Sequence, residues 1–252
     1  MIAPMNAPQS PSLNLLLIAG SAEARRAGAH LMAQGHEVTA WFSEPPRAPE
    51  ALPFDSILRD AGDPAGLERD MARFDAVLDL GHAFDAPLRH AVADVAAALE
   101  KPLARFDRPP WSCDDPLLHA APDVASAAAR IPEGARVFAA TGWASLPAFQ
   151  PFPGARLMLR QTHRHDRPAP FDFVDLIYGA PPFDVAGEQK LFQDRAVDLL
   201  ICRNLGGTAS RPKVDAALEL GLPVILIDRP ALPDYGELFS DLDALTDWVA
   251  RL

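Results

Sequence analysis

Cysteine is nearly absent from the chain: Cys113 and Cys202 are the only two among 252 residues. Two thiols cannot build a disulfide scaffold or the usual multi-cysteine zinc site. Long apolar runs are missing too. None reaches the roughly 18–20 residues of a membrane-spanning helix, so no membrane partner is expected. Positive charge is scarce, with 23 Lys and Arg against 34 Asp and Glu and a formal net charge of −11. Nucleic-acid binding rests on a basic surface, and this balance argues against it. Residues 1–12 are Pro-rich and polar with no basic leader segment, and read as a flexible tail on a cytoplasmic protein. Catalytic signatures are missing as well. There is no G-x-S-x-G elbow, no Gly-Lys-Ser/Thr phosphate loop and no complete G-x-G-x-x-G fingerprint. Neither cysteine has a catalytic context, and Cys202 reads as a core residue. Without a nucleophile–base pair, the expected chemistry is carried by a cofactor.

What is present is a globular composition, 49% apolar and 23% charged. Apolar runs alternate with Ala-rich stretches: 13–20 (LNLLLIAG), a helix over 22–34, 36–42, 56–59, a helix over 64–72, 75–80, a helix over 86–99, and 102–106. This alternation predicts parallel βαβ units, and the continuous apolar strands fit a sheet covered on both faces. The segment 107–116 (DRPPWSCDDP) interrupts the pattern and reads as a hinge. Strands then resume at 136–141, 155–160, 171–178, 198–204 and 223–228, with helices near 123–129, 185–194 and 211–220. Residues 233–252 read as one final helix capped by Asp234 or Ser240. The expected fold is α/β, with two Rossmann-like domains, parallel sheets and an interdomain cleft. After the 1–12 tail, 13–112 is expected to bind a nucleotide. Residues 113–252, including the C-terminal helix, are expected to bind substrate.

Candidate site residues fall where predicted strands end, the position at which open α/β sheets bind ligands. Gly20, Ser21 and Ala22 form a tight turn into a helix, where free backbone N–H groups favour a phosphate. Ser43, Glu44 and Arg47 follow the second strand. An acid there favours an unphosphorylated ribose and an Arg a 2′-phosphate, so the two charges point in opposite directions. Gly81 and His82 follow the fourth strand, and His82 is the candidate proton-transfer residue. Arg105, Arg108 and Trp111 cluster at the hinge, with guanidiniums suited to carboxylates and an apolar platform beside them. His163, Arg164 and His165, with Arg156, Arg160 and Arg167, form a basic patch that suits an anionic ligand better than a metal. Asn204, Gly206 and Gly207 lead into a helix bearing Lys213, and the glycines are expected to let a ligand approach the backbone. No metal site is expected. The bland alternative at each position is an ordinary turn or a solvated loop.

The order of these pieces resembles the precorrin-6A reductases of cobalamin biosynthesis, the CobK/CbiJ family, over about 13–230. The resemblance is carried by Gly20-Ser21 before Glu23-Ala24-Arg25, by Asp79-Leu80-Gly81-His82-Ala83-Phe84, and by Arg105, Arg108, Pro109 and Trp111. It continues through Thr141-Gly142-Trp143 and through Asn204-Leu205-Gly206-Gly207, Lys213 and 216–224 (AALELGLPV), ending in Arg229-Pro230. The chain departs from the family pattern where Ser21 replaces Thr, Gly81 and Ala83 flank His82, Trp143 replaces Arg, and Leu205 replaces Ser. The resemblance implies hydride transfer from NADPH, with NADH as the alternative, to a C=C bond of precorrin-6A or cobalt-precorrin-6A, giving precorrin-6B reduced at C19. It places Gly20, Ser21, Ala22, Ser43, Arg47, Gly81 and His82 at the cofactor. It places Arg105, Arg108, Trp111, Thr141, Gly142, Asn204, Gly206, Gly207 and Lys213 at the carboxylate-rich substrate. The departures leave a second reading open, a non-catalytic or divergent tetrapyrrole- or nucleotide-binding paralogue.

Overall fold

The computed structural model describes residues 11–45 and 52–252. The chain forms two compact units, Met1–Asp107 with Pro230–Leu252, and Arg108–Arg229. The hinge expected at 107–116 is therefore one of two crossings. The C-terminal residues belong to the first unit, not the second as expected.

The first unit holds β1 (Asn14–Ile18), α1 (Ala22–Ala33), β2 (Glu37–Phe42), β3 (Asp55–Leu58), α2 (Pro64–Met71), β4 (Ala76–Asp79), α3 (Ala86–Ala98) and β5 (Leu103–Phe106). The second unit holds β6 (Leu118–Ala121), α4 (Val124–Ala128), β7 (Arg136–Ala140), a 3-10 helix (Trp143–Phe149), β8 (Arg156–Gln161), β9 (Val174–Tyr178), α5 (Val185–Asp194), β10 (Leu199–Arg203), α6 (Pro212–Glu219) and β11 (Val224–Ile227). The chain then returns to the first unit with β12 (Glu237–Phe239) and α7 (Leu242–Val249).

Each unit contains a six-stranded sheet, ordered β12-β5-β4-β1-β2-β3 and β6-β11-β10-β7-β8-β9, and every pairing is parallel. The two orders are the same doubly wound pattern. The strand order reverses at β1/β4 in one sheet and at β7/β10 in the other, and it is at such points that open sheets leave a crevice for ligands.

The apolar run of β1 shows why a continuous hydrophobic strand suits this fold. Leu15 and Leu17 pack on one face with Ala24, Ala27, Leu31, Leu245 and Trp248, and Leu16 and Ile18 on the other with Leu67, Leu88 and Val92. Side chains alternate across a strand, so a sheet covered on both faces needs apolar residues at every position. In the second unit Phe138, Met158, Leu200, Cys202, Val224 and Leu226 share one core with Phe192, Val214 and Ala217. Cys202 is fully buried, as expected of a core residue.

The tail differs from the single helix expected. Asp241, not Asp234 or Ser240, caps α7 by accepting from the Ala244 amide. The preceding residues form an edge strand against β5, in register Glu237 with Ala104 through Phe239 with Phe106. Pro233 and Gly236 stop a helix from running through. Gly236 has φ +62, and a Cβ there would lie 2.6 Å from the Leu103 carbonyl oxygen, so the strand approaches β5 only with glycine at this corner.

Candidate functional site

In the first unit the β1 and β4 ends meet directly. A Cβ on Gly20 would lie 2.8 Å from the His82 amide nitrogen, so the glycine is demanded by this approach. The Ser21 hydroxyl accepts from the Ala24 amide as the cap of α1 and donates to the Leu80 carbonyl at 2.9 Å. That oxygen is committed twice. What the turn offers an anion is the backbone: the Ala22 and Glu23 amides start α1 and have no acceptor within the helix. Ser43, after β2, donates to Asp85 Oδ2 at 2.5 Å. Burial pushes the Asp85 carboxyl above its ordinary range, opposed by the Ser43 hydroxyl and reinforced by Glu44. Arg47 lies outside the described residues.

His82 is half-buried, and its Nδ1 accepts from the Phe84 amide at 3.2 Å. In the neutral ring this bond places the proton on Nε2. The turn carrying it is fastened from below, because Asp79 Oδ1 accepts from the Gly81 amide at 3.0 Å. Asp79 has 0% exposure and Arg89 1%. Arg89 Nε reaches both Asp79 oxygens at 3.1 and 2.8 Å, and Tyr235 Oη donates to Oδ2 at 2.6 Å. Arg89 continues to Asp107 at 3.3 Å. A buried carboxylate is tolerated only when paired and fully hydrogen-bonded, and Asp79 meets both conditions.

Arg105 belongs to this network, not to a group with Arg108 and Trp111. It donates to the Pro233 carbonyl at 3.0 Å, stacks over Tyr235 at 4.8 Å, and lies 3.3 Å from Asp107 in an ion pair without hydrogen-bond geometry at Nε. The sequence held a signal for the network that was not read. Asp79 interrupts an apolar strand, and a charge there has to find a buried partner.

In the second unit Arg108, Trp111, Asn204, Gly206 and Gly207 do come together. The Asn204 side chain accepts from the Trp111 amide at 2.8 Å and donates to its carbonyl at 3.0 Å, while Trp111 Nε1 donates to the Gly207 carbonyl at 2.8 Å. Arg229 donates to the carbonyls of Asn204, Leu205 and Arg108. Gly206 and Gly207 take φ +65 and +66. A Cβ on Gly206 would sit 2.2 Å from the Pro109 carbonyl oxygen, and one on Gly207 2.8 Å from Arg108 Cδ. The space beside these glycines is therefore filled by protein, which corrects the expectation that it is kept open for a ligand. Lys213 turns inward to the Ser210 carbonyl at 2.5 Å, and burial lowers its pKa. Burial also pushes the Cys202 thiol up to about 11, which keeps it from acting as a thiolate.

At the other strand ends of this sheet, Thr141 is buried and its hydroxyl shares a 2.7 Å hydrogen bond with Ser145. Gly142 takes φ +86, and a Cβ on it would meet Arg203 Nη2 at 3.2 Å. The structure thus brings Gly20, Ser21, Ala22, Gly81 and His82 to the reversal point of the first sheet. It brings Thr141, Gly142 and Asn204 to that of the second. Among the described residues no helix is long and apolar enough to cross a membrane.

Residues 14–250 match the family model described as "Precorrin-6x reductase CbiJ/CobK". Similar proteins include the precorrin-6A reductase of Rhodobacter capsulatus, 32% identical over 240 residues that span 94% of this chain and 95% of that one. The cobalt-precorrin-6A reductase of Priestia megaterium is 25% identical over 91% of this chain and 95% of its own. A solved structure titled "CobK precorrin-6A reductase" superposes with a TM-score of 0.86 at 30% identity, covering 95% of this chain and 97% of that chain.

Proposed function

The chain belongs to the precorrin-6x reductase CbiJ/CobK family, and we propose on that footing that it reduces a C=C bond of precorrin-6A to give precorrin-6B. The observation that carries this reading is the family match across 14–250, nearly the whole chain. The first unit is the nucleotide-binding part and the second binds the tetrapyrrole. NADPH, when bound, supplies the hydride and both electrons.

The residues at the first reversal point fit such a group. The α1 N-terminus presents amides with no helical acceptor, in the position where doubly wound sheets take a pyrophosphate. Ser21 holds that turn by capping α1 and bonding Leu80. Gly20 lets His82 approach the turn. Ser43 ties the β2 end to Asp85 at the start of α3, where the adenosine ribose is expected.

Reduction of a C=C bond adds a hydride to one carbon and a proton to its neighbour. His82 is a titratable side chain beside the α1 N-terminus, and its ring is the group assigned to that second step. Asp79, held by Arg89 and Tyr235, fixes the turn that carries it. The tetrapyrrole approaches the second sheet at its reversal point, by the half-buried Gly142 turn that the buried Thr141 and Asn204 help to hold.

Incubating the purified protein with precorrin-6A and NADPH tests the proposal. Stoichiometric loss of nicotinamide absorbance with formation of a dihydro macrocycle is expected. Binding of precorrin-6A without any consumption of NADPH or NADH would establish the non-catalytic reading instead. A parallel run with the cobalt-containing substrate assigns the metal state.

A further inference from the structure

The connection from β8 to β9 leaves the carboxyl edge of the second sheet through His163-Arg164-His165-Asp166-Arg167. Three half-buried rings from three elements meet there. His165 stands edge-on to Trp143, which follows β7, with ring centroids 4.9 Å apart, and to Tyr178, the last residue of β9, at 5.9 Å. The Tyr178 hydroxyl donates to the His165 carbonyl at 3.3 Å. Two exposed guanidiniums lie on these rings, Arg167 4.8 Å from the Trp143 centroid and Arg164 5.1 Å from that of Tyr178.

The partners of these two guanidiniums are rings and not carboxylates. In the same unit Arg156, Arg160 and Arg211 each face a carboxylate, at 3.9, 2.9 and 2.6 Å. Arg164 and Arg167 face none among the described residues, and the exposed Asp166 between them pairs with neither, in a protein whose acids outnumber its bases 34 to 23. A guanidinium lying on an aromatic ring keeps its N–H fork free, and the ring restrains it, so less freedom is lost when a carboxylate is gripped. Two such forks three residues apart, at the sheet edge that carries Thr141 and Gly142, suit a rigid ligand with several carboxylates on its rim.

We propose that Arg164 and Arg167, held on Tyr178 and Trp143, form a carboxylate-reading pair for the acidic side chains of the tetrapyrrole. The proposal rests on the tetrapyrrole reductase reading above and names the residues that recognise that substrate's rim. It involves specificity and affinity, not hydride transfer.

Calorimetric titration with precorrin-6A in the absence of any nicotinamide separates this pairing from the reaction. The variant Arg164→Gln/Arg167→Gln is expected to raise the Kd for precorrin-6A by about tenfold or more, the scale of losing charge-assisted bonds. Its binding should also depend less steeply on salt, with the Kd for NADPH unchanged. Trp143→Leu, which keeps both charges but removes one platform, should shift the Kd in the same direction. An unchanged precorrin-6A Kd in the Gln pair, or an equal loss for NADPH, overturns the proposal. Pair-dependent binding without turnover would sink the reductase reading alone. Turnover with pair-independent binding would sink the carboxylate-reading pair alone.

Discussion

The Tyr235 phenol donates to Asp79 Oδ2 at 2.6 Å, joining residues 156 positions apart in sequence. It completes the shell of a buried carboxylate that Arg89 and the Gly81 amide otherwise supply. It also pins the returning tail to the first sheet, where β12 adds to the edge at β5. One hydrogen bond therefore serves both the turn bearing His82 and the attachment of the C-terminal strand.

Tyr235→Phe should destabilise the first unit by about 1.5–3 kcal/mol, the range for a hydrogen bond to a charged group. Burial and the Asp79 carboxylate raise the phenol's pKa above its ordinary value. A raised folded pKa contributes stability that is fully present below the unfolded pKa of about 10 and is lost as pH rises toward the folded value. Denaturant unfolding from pH 7 to 11 should show wild type losing stability faster than the Phe variant at the alkaline end. Parallel curves throughout would mean that the phenol is not coupled to Asp79.

Gly206→Ala should destabilise the second unit by about 2–4 kcal/mol, combining a left-handed backbone with displaced neighbours. A Cβ there would lie 2.2 Å from the Pro109 carbonyl oxygen and 2.5 Å from Arg229 Nη2. The loop is stitched by Arg229 and Trp111, so the damage should appear as a lowered unfolding midpoint before any ligand is added. A variant as stable as wild type that has lost only tetrapyrrole binding would restore the open-turn reading of this glycine.

What was legible in the sequence was what local pattern controls. The strand at 13–20 announces itself because both of its faces are buried, and α5 falls at 185–194 where the alternation of strands and helices predicts a helix. The three-residue strand β12 is mostly exposed, and only its pairing with β5 makes it a strand. The short strand β6 carries an exposed His119 and is likewise defined by its neighbour β11. The turns at 20–22 and 81–82 were legible as the ends of strands, and the sheet order places both strands at its reversal point. The partners that hold them were not. Arg89 lies in an Ala-rich helix and Tyr235 in the tail, and only the fold brings either to Asp79.

Lys213 supplies a pH test inside the second unit. Burial depresses its pKa below the ordinary lysine value. The unfolded chain then binds more protons than the folded one between the two pKa values, so stability rises with pH across that window. Lys213→Met removes this titration. Stability measured toward pH 10 should therefore rise for wild type relative to the Met variant. A constant difference across the series would show the ammonium to be solvated in spite of its bond to Ser210.

Arg47, outside the described residues, is where the nucleotide preference proposed for the first unit is tested. The β2 end is acidic: Ser43 bonds Asp85, and Glu44 lies close enough to raise that carboxyl. An acidic edge repels a 2′-phosphate and accepts a ribose hydroxyl, so a preference for NADPH needs a cation to offset it. Arg47 is the nearest cation after the strand in sequence. Arg47→Ala should weaken NADPH by about 1–3 kcal/mol, the range for charge-assisted hydrogen bonds, and leave NADH nearly unchanged. Glu44→Gln should do the reverse, costing NADH affinity while relieving repulsion of the 2′-phosphate. Fluorescence titration of both cofactors against both variants reads all four affinities. Equal losses for the two cofactors in Arg47→Ala would mean that neither residue distinguishes the ribose, and that the choice of nucleotide is made elsewhere in the unit.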